Sequence, residues 1–306
     1  MSLVDVTASF LLAIVRDCKD TKTKYITKTK RKMIKNYVQS PLPFQGQKRT
    51  FLKLFREGLK QFDQSTTFVD LFGGSGLLSH CIKQVRPDAR VIYNDYDNFS
   101  ERLRNVDRTN ALLADIRAIL GDYERKVLIK EPIRGKIIER IRQADNEGYV
   151  DYITLSASLL FSGKYATNFK EMTKDTFYNR IKLNDYSVEG YLKEVEVVHY
   201  DYRVLFSMCK HFPGVVFLID PPYLSTDCSS YKNYWKLKDY LDVLLLLKDT
   251  SYFYFTSNKS SIVELCDWLE QNLNAPSPFF GATKKEVVNG VNKDARYTDI
   301  MMYKAN

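Results

Sequence analysis

The sequence predicts an α/β fold built on a mixed, mostly parallel sheet, with an antiparallel hairpin at its C-terminal end and a mainly helical insertion. Three observations carry that prediction. Phe68-Val-Asp-Leu-Phe72 reads as a strand, Gly73-Gly-Ser-Gly76 as a tight turn, and Leu77–Val85 as the helix after it. Val91-Ile-Tyr93 then forms a second strand that ends at Asn94-Asp95. This order of strand, glycine turn, helix, strand and acid is the nucleotide-binding βαβ unit, so the body is expected to be Rossmann-like. The second observation is Val215-Val-Phe-Leu-Ile219, an unbroken apolar run. Parallel strands buried on both faces read in this way. The third is residues 103–198, where charge of both signs and helical spacing replace the strand rhythm.

Taken in order, residues 3–18 read as a short helix and 19–40 as a polar, basic connector, with Pro41 and Pro43 marking entry to the folded body. Phe51, Leu54, Phe55, Leu59 and Phe62 share one side of a helix. After the βαβ unit the helical insertion covers residues 103–198. The α/β pattern resumes at Val195–Val198, continues in the strand before Asp220, and adds Tyr252–Phe255. Helices are expected over Lys236–Lys248 and Ser260–Leu273. The segments Glu286–Val291 and Tyr297–Tyr303, joined across Asn292-Lys-Asp-Ala, read as a terminal hairpin. The domain reading is therefore 1–40 as a helix and basic arm, 41–102 with 199–306 as the α/β body, and 103–198 as an inserted, mainly helical domain.

Composition narrows the function classes. At 306 residues the chain can bury a sizeable core, and 44% hydrophobic with 27% charged residues is ordinary for a globular protein. The strongly apolar runs Phe10–Val15 and Val243–Leu247 are too short to span a bilayer. No basic segment precedes the first of them, so neither a secretory signal nor a membrane partner is expected. Five scattered cysteines, no C-x-x-C pair and three histidines argue against a disulfide framework or a zinc site, and a reducing cytoplasm fits best. Charge is unevenly placed. Residues 1–56 hold 13 Lys/Arg against 3 Asp/Glu, whereas the other 250 hold 33 against 34. The excess is densest in Lys22-Thr-Lys24-Tyr-Ile-Thr-Lys28-Thr-Lys30-Arg31-Lys32. An arm that follows phosphates and a solvated tail are both consistent with it.

Asp220-Pro221-Pro222-Tyr223 is the most informative stretch. It sits at a strand's carboxyl end, where open α/β sheets bind ligands. Two prolines stiffen the backbone and remove two N–H donors, which leaves fixed carbonyl acceptors. An acidic acceptor, a rigid carbonyl and an aromatic face suit a planar ring that bears an amino group. An Asp ending a strand before a proline turn is the plainer reading. Gly73, Gly74 and Gly76 allow a ligand to lie against the backbone, but Leu77 excludes a nucleophile elbow and Gly46-Gln-Lys48-Arg-Thr lacks the core of a Walker loop. Asp70 and Asp95, at the ends of adjacent parallel strands, are placed to meet an ammonium group and a ribose diol. Each also suits a strand-end or helix-capping role.

Four blocks in this order resemble the DNA adenine methyltransferases of the Dam-like, D-P-P-Y family. They are Pro43-Phe-Gln-Gly-Gln-Lys48, Phe68–Gly76, Val91–Asp95 and Asp220–Tyr223. Weaker echoes are His199-Tyr-Asp201-Tyr, Phe253–Asn258 and Asn289-Gly with Thr298-Asp-Ile-Met-Met. The resemblance covers about 170 residues and implies an S-adenosylmethionine-dependent methyltransferase fold. It further implies S-adenosyl-L-methionine as cofactor, double-stranded DNA as partner and no metal. It allows a restriction endonuclease partner without requiring one, and leaves the oligomeric state unassigned. By the same resemblance Lys48, beside Phe44 and Gly46, meets the cofactor's carboxylate. Asp70, Phe72 and the glycine turn surround its amino acid part, Asp95 holds the ribose and Asp201 the adenine. Asp220 and a proline carbonyl, with Tyr223 stacked on the ring, take the amino group of an extruded target adenine.

Departures from the family pattern leave the recognition sequence open. Gln47 stands where glycine is common, and the insertion has only a loose match in Phe161–Asn168. Arg134, Lys136, Arg140, Arg142, Lys164 and Lys170 are read either as phosphate contacts or as ordinary surface pairs. Leu224–Trp235 is read as a loop closing over the base, or as aromatics packed on Tyr240 and Leu244. An RNA adenine or cytosine acceptor, and a non-catalytic DNA-binding module, stand as alternatives.

Overall fold

The computed structural model describes residues 36–64, 66–161, 163–222, 235–274, 276–290 and 296–306. The N-terminal helix, most of the basic arm, Tyr223 and nearly all of the Leu224–Trp235 loop lie outside them. All the described residues belong to one compact unit, Ile34–Asn306.

A 3-10 turn, Arg49–Phe51, leads into α1 (Leu52–Leu59). The βαβ unit follows as β1 (Phe68–Asp70), α2 (Leu77–Val85) and β2 (Val91–Asn94). The body adds α3 (Phe99–Arg104), and the insertion contributes α4 (Val106–Leu120), α5 (Ile133–Asn146), α6 (Tyr152–Leu159) and α7 (Phe169–Lys174). The chain then returns through β3 (Glu196–Val198), α8 (Tyr202–Cys209), β4 (Val216–Ile219), α9 (Leu237–Leu246), β5 (Ser251–Ser257) and α10 (Ile262–Leu273). It ends in the hairpin β6 (Thr283–Gly290) and β7 (Arg296–Lys304). β1 stops at Asp70, two residues short of the apolar run, because Leu71 and Phe72 already belong to the turn. β3 pairs with β2, so Glu196–Val198, at the end of the 103–198 segment, belong to the sheet.

The seven strands lie in the order β3-β2-β1-β4-β5-β7-β6, with β1 to β5 parallel and β7 antiparallel to both neighbours. Strand order reverses between β1 and β4, which makes their carboxyl ends the crevice where such sheets take ligands. Alternation along each strand sorts side chains between two cores. Val69, Phe217, Ile219, Tyr252, Tyr254, Ile300 and Met302 face α8, α9 and α10. Phe68, Val216, Leu218, Phe253, Phe255, Met301 and Tyr303 face Phe51, Phe55 and α2. Both faces are covered, which is why these strands carry almost no polar residue until they end.

The insertion has its own core, in which Leu113, Ile116, Ile137, Ile141, Leu155, Met172 and Phe177 are buried. It is tied to the body by a small aromatic cluster of Tyr37, Tyr93, Phe99 and Tyr191. A buried ion pair adds to that tie: Arg102 Nε lies 3.1 Å from both oxygens of Asp151, and Arg102 also donates to the Pro43 carbonyl at 2.9 Å. Cys81, Cys209 and Cys266 are buried and free. Among the described residues no helix is long and apolar enough to cross a membrane.

Candidate active site

The site is built from what happens at the carboxyl ends of β1 and β4. Phe68 and Val216 face the α2 core, so by alternation Asp70 and Asp220 point to the same face. In register Asp70 stands beside Leu218, two residues deeper than Asp220. From above this face the turn before Arg49 delivers Lys48. Its Nζ lies 2.6 Å from Asp220 Oδ2 and donates to the Gly46 carbonyl at 2.8 Å. Gly46 adopts a left-handed φ of 77°, which folds the chain back so that its carbonyl meets the lysine two residues on. Lys48 is buried, and only a fifth of the Asp220 side chain is exposed. Burial lifts the Asp220 carboxyl above its ordinary range, while Lys48 draws it back down.

Asp70 lies deeper, at 2% exposure, and accepts a hydrogen bond from Ser79 Oγ at 2.7 Å. Burial pushes its carboxyl from 3.8 to about 7, with Asp220 adding to the rise and the Ser79 hydroxyl opposing it. Two carboxyls on one face of the strand ends, one of them paired with an ammonium, suit a partner carrying both charges.

The glycine turn is shaped by its neighbours. A Cβ on Gly73 would sit 2.2 Å from the Tyr93 ring, and one on Gly76, at φ 71°, would sit 2.7 Å from Leu192. Gly76 opens α2, whose His80 amide donates back to the Gly76 carbonyl at 2.8 Å. The Phe44 ring covers Gly74, and the Tyr93 hydroxyl donates to the Gly74 carbonyl at 2.7 Å. Phe72 is half-buried between Tyr202 and Trp235, with ring centroids at 5.0 and 5.8 Å. Trp235 also packs on Tyr240 at 5.1 Å, which is the packing alternative for that aromatic. Pro221 is buried and Pro222 partly so, while Tyr223 lies outside the described residues.

Two of the residues read from the sequence are otherwise engaged. Asp95 is fully buried, and both of its oxygens are taken. Oδ1 accepts from the Phe99 amide at 2.6 Å and the Tyr93 hydroxyl at 3.1 Å. Oδ2 accepts from the Ser100 amide at 2.9 Å and from the Ser100 hydroxyl. In this arrangement Asp95 anchors the first turn of α3, the capping alternative, and a ribose diol would have to displace the Ser100 hydroxyl. Asp201 caps α8 through the Arg203 amide at 2.9 Å and pairs with the Arg203 guanidinium at 3.0 Å, which holds its carboxyl below the usual range.

One group quoted above only within a weaker echo of the resemblance, with no role assigned, belongs to the same face. Asp299 on β7 stands opposite Ser257 of β5, and it alternates with Met301 and Tyr303 of the α2 core. Asn289 Nδ2 donates to its Oδ2 at 2.7 Å. Burial raises its carboxyl, with Lys48 lowering and Asp220 raising it further. The readable signal was a lone acid in the row Tyr297, Met301 and Tyr303 on one face of the strand.

The basic residues of the insertion are largely paired. Arg140 meets Asp115 at 2.8 Å, Arg142 meets Glu139 at 2.7 Å, Arg134 meets Glu131 at 3.5 Å, and Lys164 contacts Asp175. The Phe161–Asn168 loop presents Phe161 to solvent at 60% exposure and ends where Asn168 caps α7. Among the described residues no group of three or more His, Cys, Asp or Glu side chains is arranged to hold a metal ion.

The family model described as D12 class N6 adenine-specific DNA methyltransferase matches residues 44–295. A Haemophilus influenzae protein (strain ATCC 51907 / DSM 11121 / KW20 / Rd) named "Putative methyltransferase" is 36% identical over 279 residues, which covers 88% of this chain and 93% of that protein.

Proposed function

The chain belongs to the D12 class N6 adenine-specific DNA methyltransferase family, and from that premise we propose that it moves a methyl group from S-adenosyl-L-methionine to the exocyclic amino nitrogen of adenine in duplex DNA. The observation that carries the proposal is the placement of Asp220, at the switch point of the sheet and 2.6 Å from Lys48. The residues present suit such a donor. Lys48 offers a cation for a carboxylate, the deep Asp70 carboxyl offers an acceptor for an ammonium, and Phe44 with the glycine turn makes a flat wall between them. When bound, the donor supplies an electrophilic methyl on a sulfonium.

The protein's own part is positioning. An aromatic amine is a weak nucleophile because its lone pair is delocalised into the ring. Asp220 and a proline carbonyl of the D-P-P turn accept the two amino hydrogens, which draws the nitrogen toward tetrahedral geometry and aims its lone pair. Alignment of this kind accounts for up to ~7–11 kcal/mol in well-oriented reactions, and the carboxylate also stabilises charge developing on the amine. The proton leaves after transfer has acidified the nitrogen, so Asp220 need not be a strong base. A stacked adenine cannot reach a crevice at the strand ends, so the base is extruded, at a cost of a few kcal/mol. Tyr223 is the ring assigned to stack on it.

The test is transfer of labelled methyl to unmethylated duplex DNA of random composition, with sequencing that maps modified adenines. Label confined to adenine within one short motif supports reaction, acceptor and site specificity together. Label on RNA or on cytosine replaces the acceptor, and no label from a protein that binds the donor favours the non-catalytic alternative.

A further inference from the structure

Arg102 lies outside the four motif blocks, yet it joins the insertion to the wall that the donor would meet. It projects from α3, whose first turn is anchored on Asp95 through the Phe99 and Ser100 amides. Toward the insertion, Arg102 Nε lies 3.1 Å from both oxygens of Asp151, and Nη2 donates to Thr154 Oγ1 at 3.2 Å. Toward the body, the same Nη2 donates to the Pro43 carbonyl at 2.9 Å. The guanidinium lies over the Phe99 ring, 5.1 Å from its centroid. Phe99 in turn meets Phe44 edge to face at 5.6 Å, and the Phe44 ring covers Gly74. Pro43 immediately precedes Phe44, so one side chain holds both the backbone of that wall and the ring on which it packs.

Stability alone does not account for this arrangement. Arg102 Nη1 is buried and makes no hydrogen bond among the described residues. Burying a charge with one nitrogen unpaired costs stability, and an apolar pair in place of Arg102 and Asp151 would avoid that cost. An apolar pair could not hold the Pro43 carbonyl while staying fixed to the insertion, which takes the forked geometry of a guanidinium. Resting on the methyl-transfer reading, we infer that Arg102 is a positioning residue of the donor site, acting through Pro43 and Phe44. It sets the Phe44 ring against the glycine turn, so that the wall is ordered before the donor arrives and binding does not bear that ordering cost. Without the tether the ring can leave Gly74, and donor affinity falls while the transfer step, which uses Asp220, is left alone.

The test compares wild type with Arg102→Lys, Phe99→Leu and Thr154→Val. It measures S-adenosylmethionine affinity by calorimetry, turnover on duplex DNA at saturating donor, and melting temperature. Lysine keeps a cation for Asp151 but cannot also hold the Pro43 carbonyl. Arg102→Lys is expected to weaken donor Kd by about tenfold, the effect of losing one good hydrogen bond, with kcat within about twofold of wild type. Phe99→Leu leaves the ion pair whole but removes the ring on which Phe44 packs, and weakens donor Kd by about threefold. Thr154→Val loses hydroxyl bonds to Arg102 and Asp151 on the insertion side only. It lowers the melting temperature and leaves donor Kd within about twofold. Donor affinity equal to wild type in either Arg102→Lys or Phe99→Leu overturns the inference. So does a donor affinity that falls as far in Thr154→Val as in Arg102→Lys, which marks a general loosening. If wild type itself binds no S-adenosylmethionine, the methyl-transfer reading fails and the inference falls with it, a result distinct from either of these.

Discussion

Asp70→Asn separates the stability of the site from its chemistry. The Asp70 carboxyl titrates at about 7 in the folded chain against 3.8 for the free side chain, chiefly because it is buried. The native state therefore binds this proton more tightly than the unfolded state, and native stability declines as pH rises from 3.8 to about 7 and no further above. About three units at ~1.4 kcal/mol each make the penalty ~4 kcal/mol above neutrality, ~2 kcal/mol near pH 5 and almost nothing below pH 4. Asparagine removes the charge but keeps an oxygen for the Ser79 hydroxyl that now donates at 2.7 Å. The variant should be more stable than wild type by those amounts. With ~2.1 cal/mol/K of unfolding entropy per residue, ~4 kcal/mol in a chain of this size raises the melting temperature by ~6 °C. Urea and thermal unfolding of both proteins, from about pH 4 to about pH 8, measure the difference. A gap that does not vary with pH, or a variant less stable at pH 8, refutes desolvation as the cause. Methyl transfer should fall in the same variant, since the acceptor proposed for the donor's ammonium has lost its charge.

Other perturbations probe separate parts of the molecule. Asp220→Ala should reduce turnover by about a hundredfold or more, the upper range for losing a charged hydrogen bond, while calorimetry shows the donor still bound; retained turnover sinks the mechanism. Arg102→Met strands the Asp151 carboxylate, whose side chain is 1% exposed, and should cost ~3–5 kcal/mol in urea unfolding. Adding Asp151→Leu should recover most of that loss, and a double variant as unstable as the single one refutes the pairing argument. Gly73→Ala places a methyl 2.2 Å from the Tyr93 ring, which should cost ~1–3 kcal/mol or more by overpacking; a variant with wild-type stability would show that the turn can shift freely. Removal of residues 1–36 should weaken duplex binding and lower the slope of log affinity against log salt by ~0.9 for each phosphate that the arm neutralises. Unchanged affinity at low salt dismisses the basic arm as a DNA-binding element.

How much of this was legible in the sequence follows from the range of each interaction. A strand covered on both faces must be apolar throughout, so Val215–Ile219 announced itself and Asp220, the first polar residue after it, had to lie at a carboxyl edge, while Asp70 breaks the apolar run Phe68–Phe72 where β1 ends. That logic places Asp70 and Asp220 without further knowledge, because the switch between β1 and β4 makes their ends neighbours. The same logic put Asp95 at the end of β2 but could not say what its oxygens meet. Phe99 and Ser100 lie four and five residues on, and a capping carboxylate looks the same in sequence as a ligand-binding one. Arg102 and Asp151 are 49 residues apart, on elements with no shared pattern, so their pair appears only in the folded chain.

Asp299 shows most sharply where sequence reasoning ends. Its strand reads Arg296-Tyr-Thr-Asp-Ile-Met-Met-Tyr-Lys304, and alternation alone sets Tyr297, Asp299, Met301 and Tyr303 on one face. Which core that face meets depends on β7 entering antiparallel beside β5, with Phe255 opposite Met301. Once that is fixed, an acid continuing the line of Met301 and Tyr303 has to emerge beyond Phe51, on the side from which Lys48 arrives. A carboxyl in so apolar a row costs stability, since burial raises its proton affinity. The hydrogen bond from Asn289 at 2.7 Å offsets part of that cost.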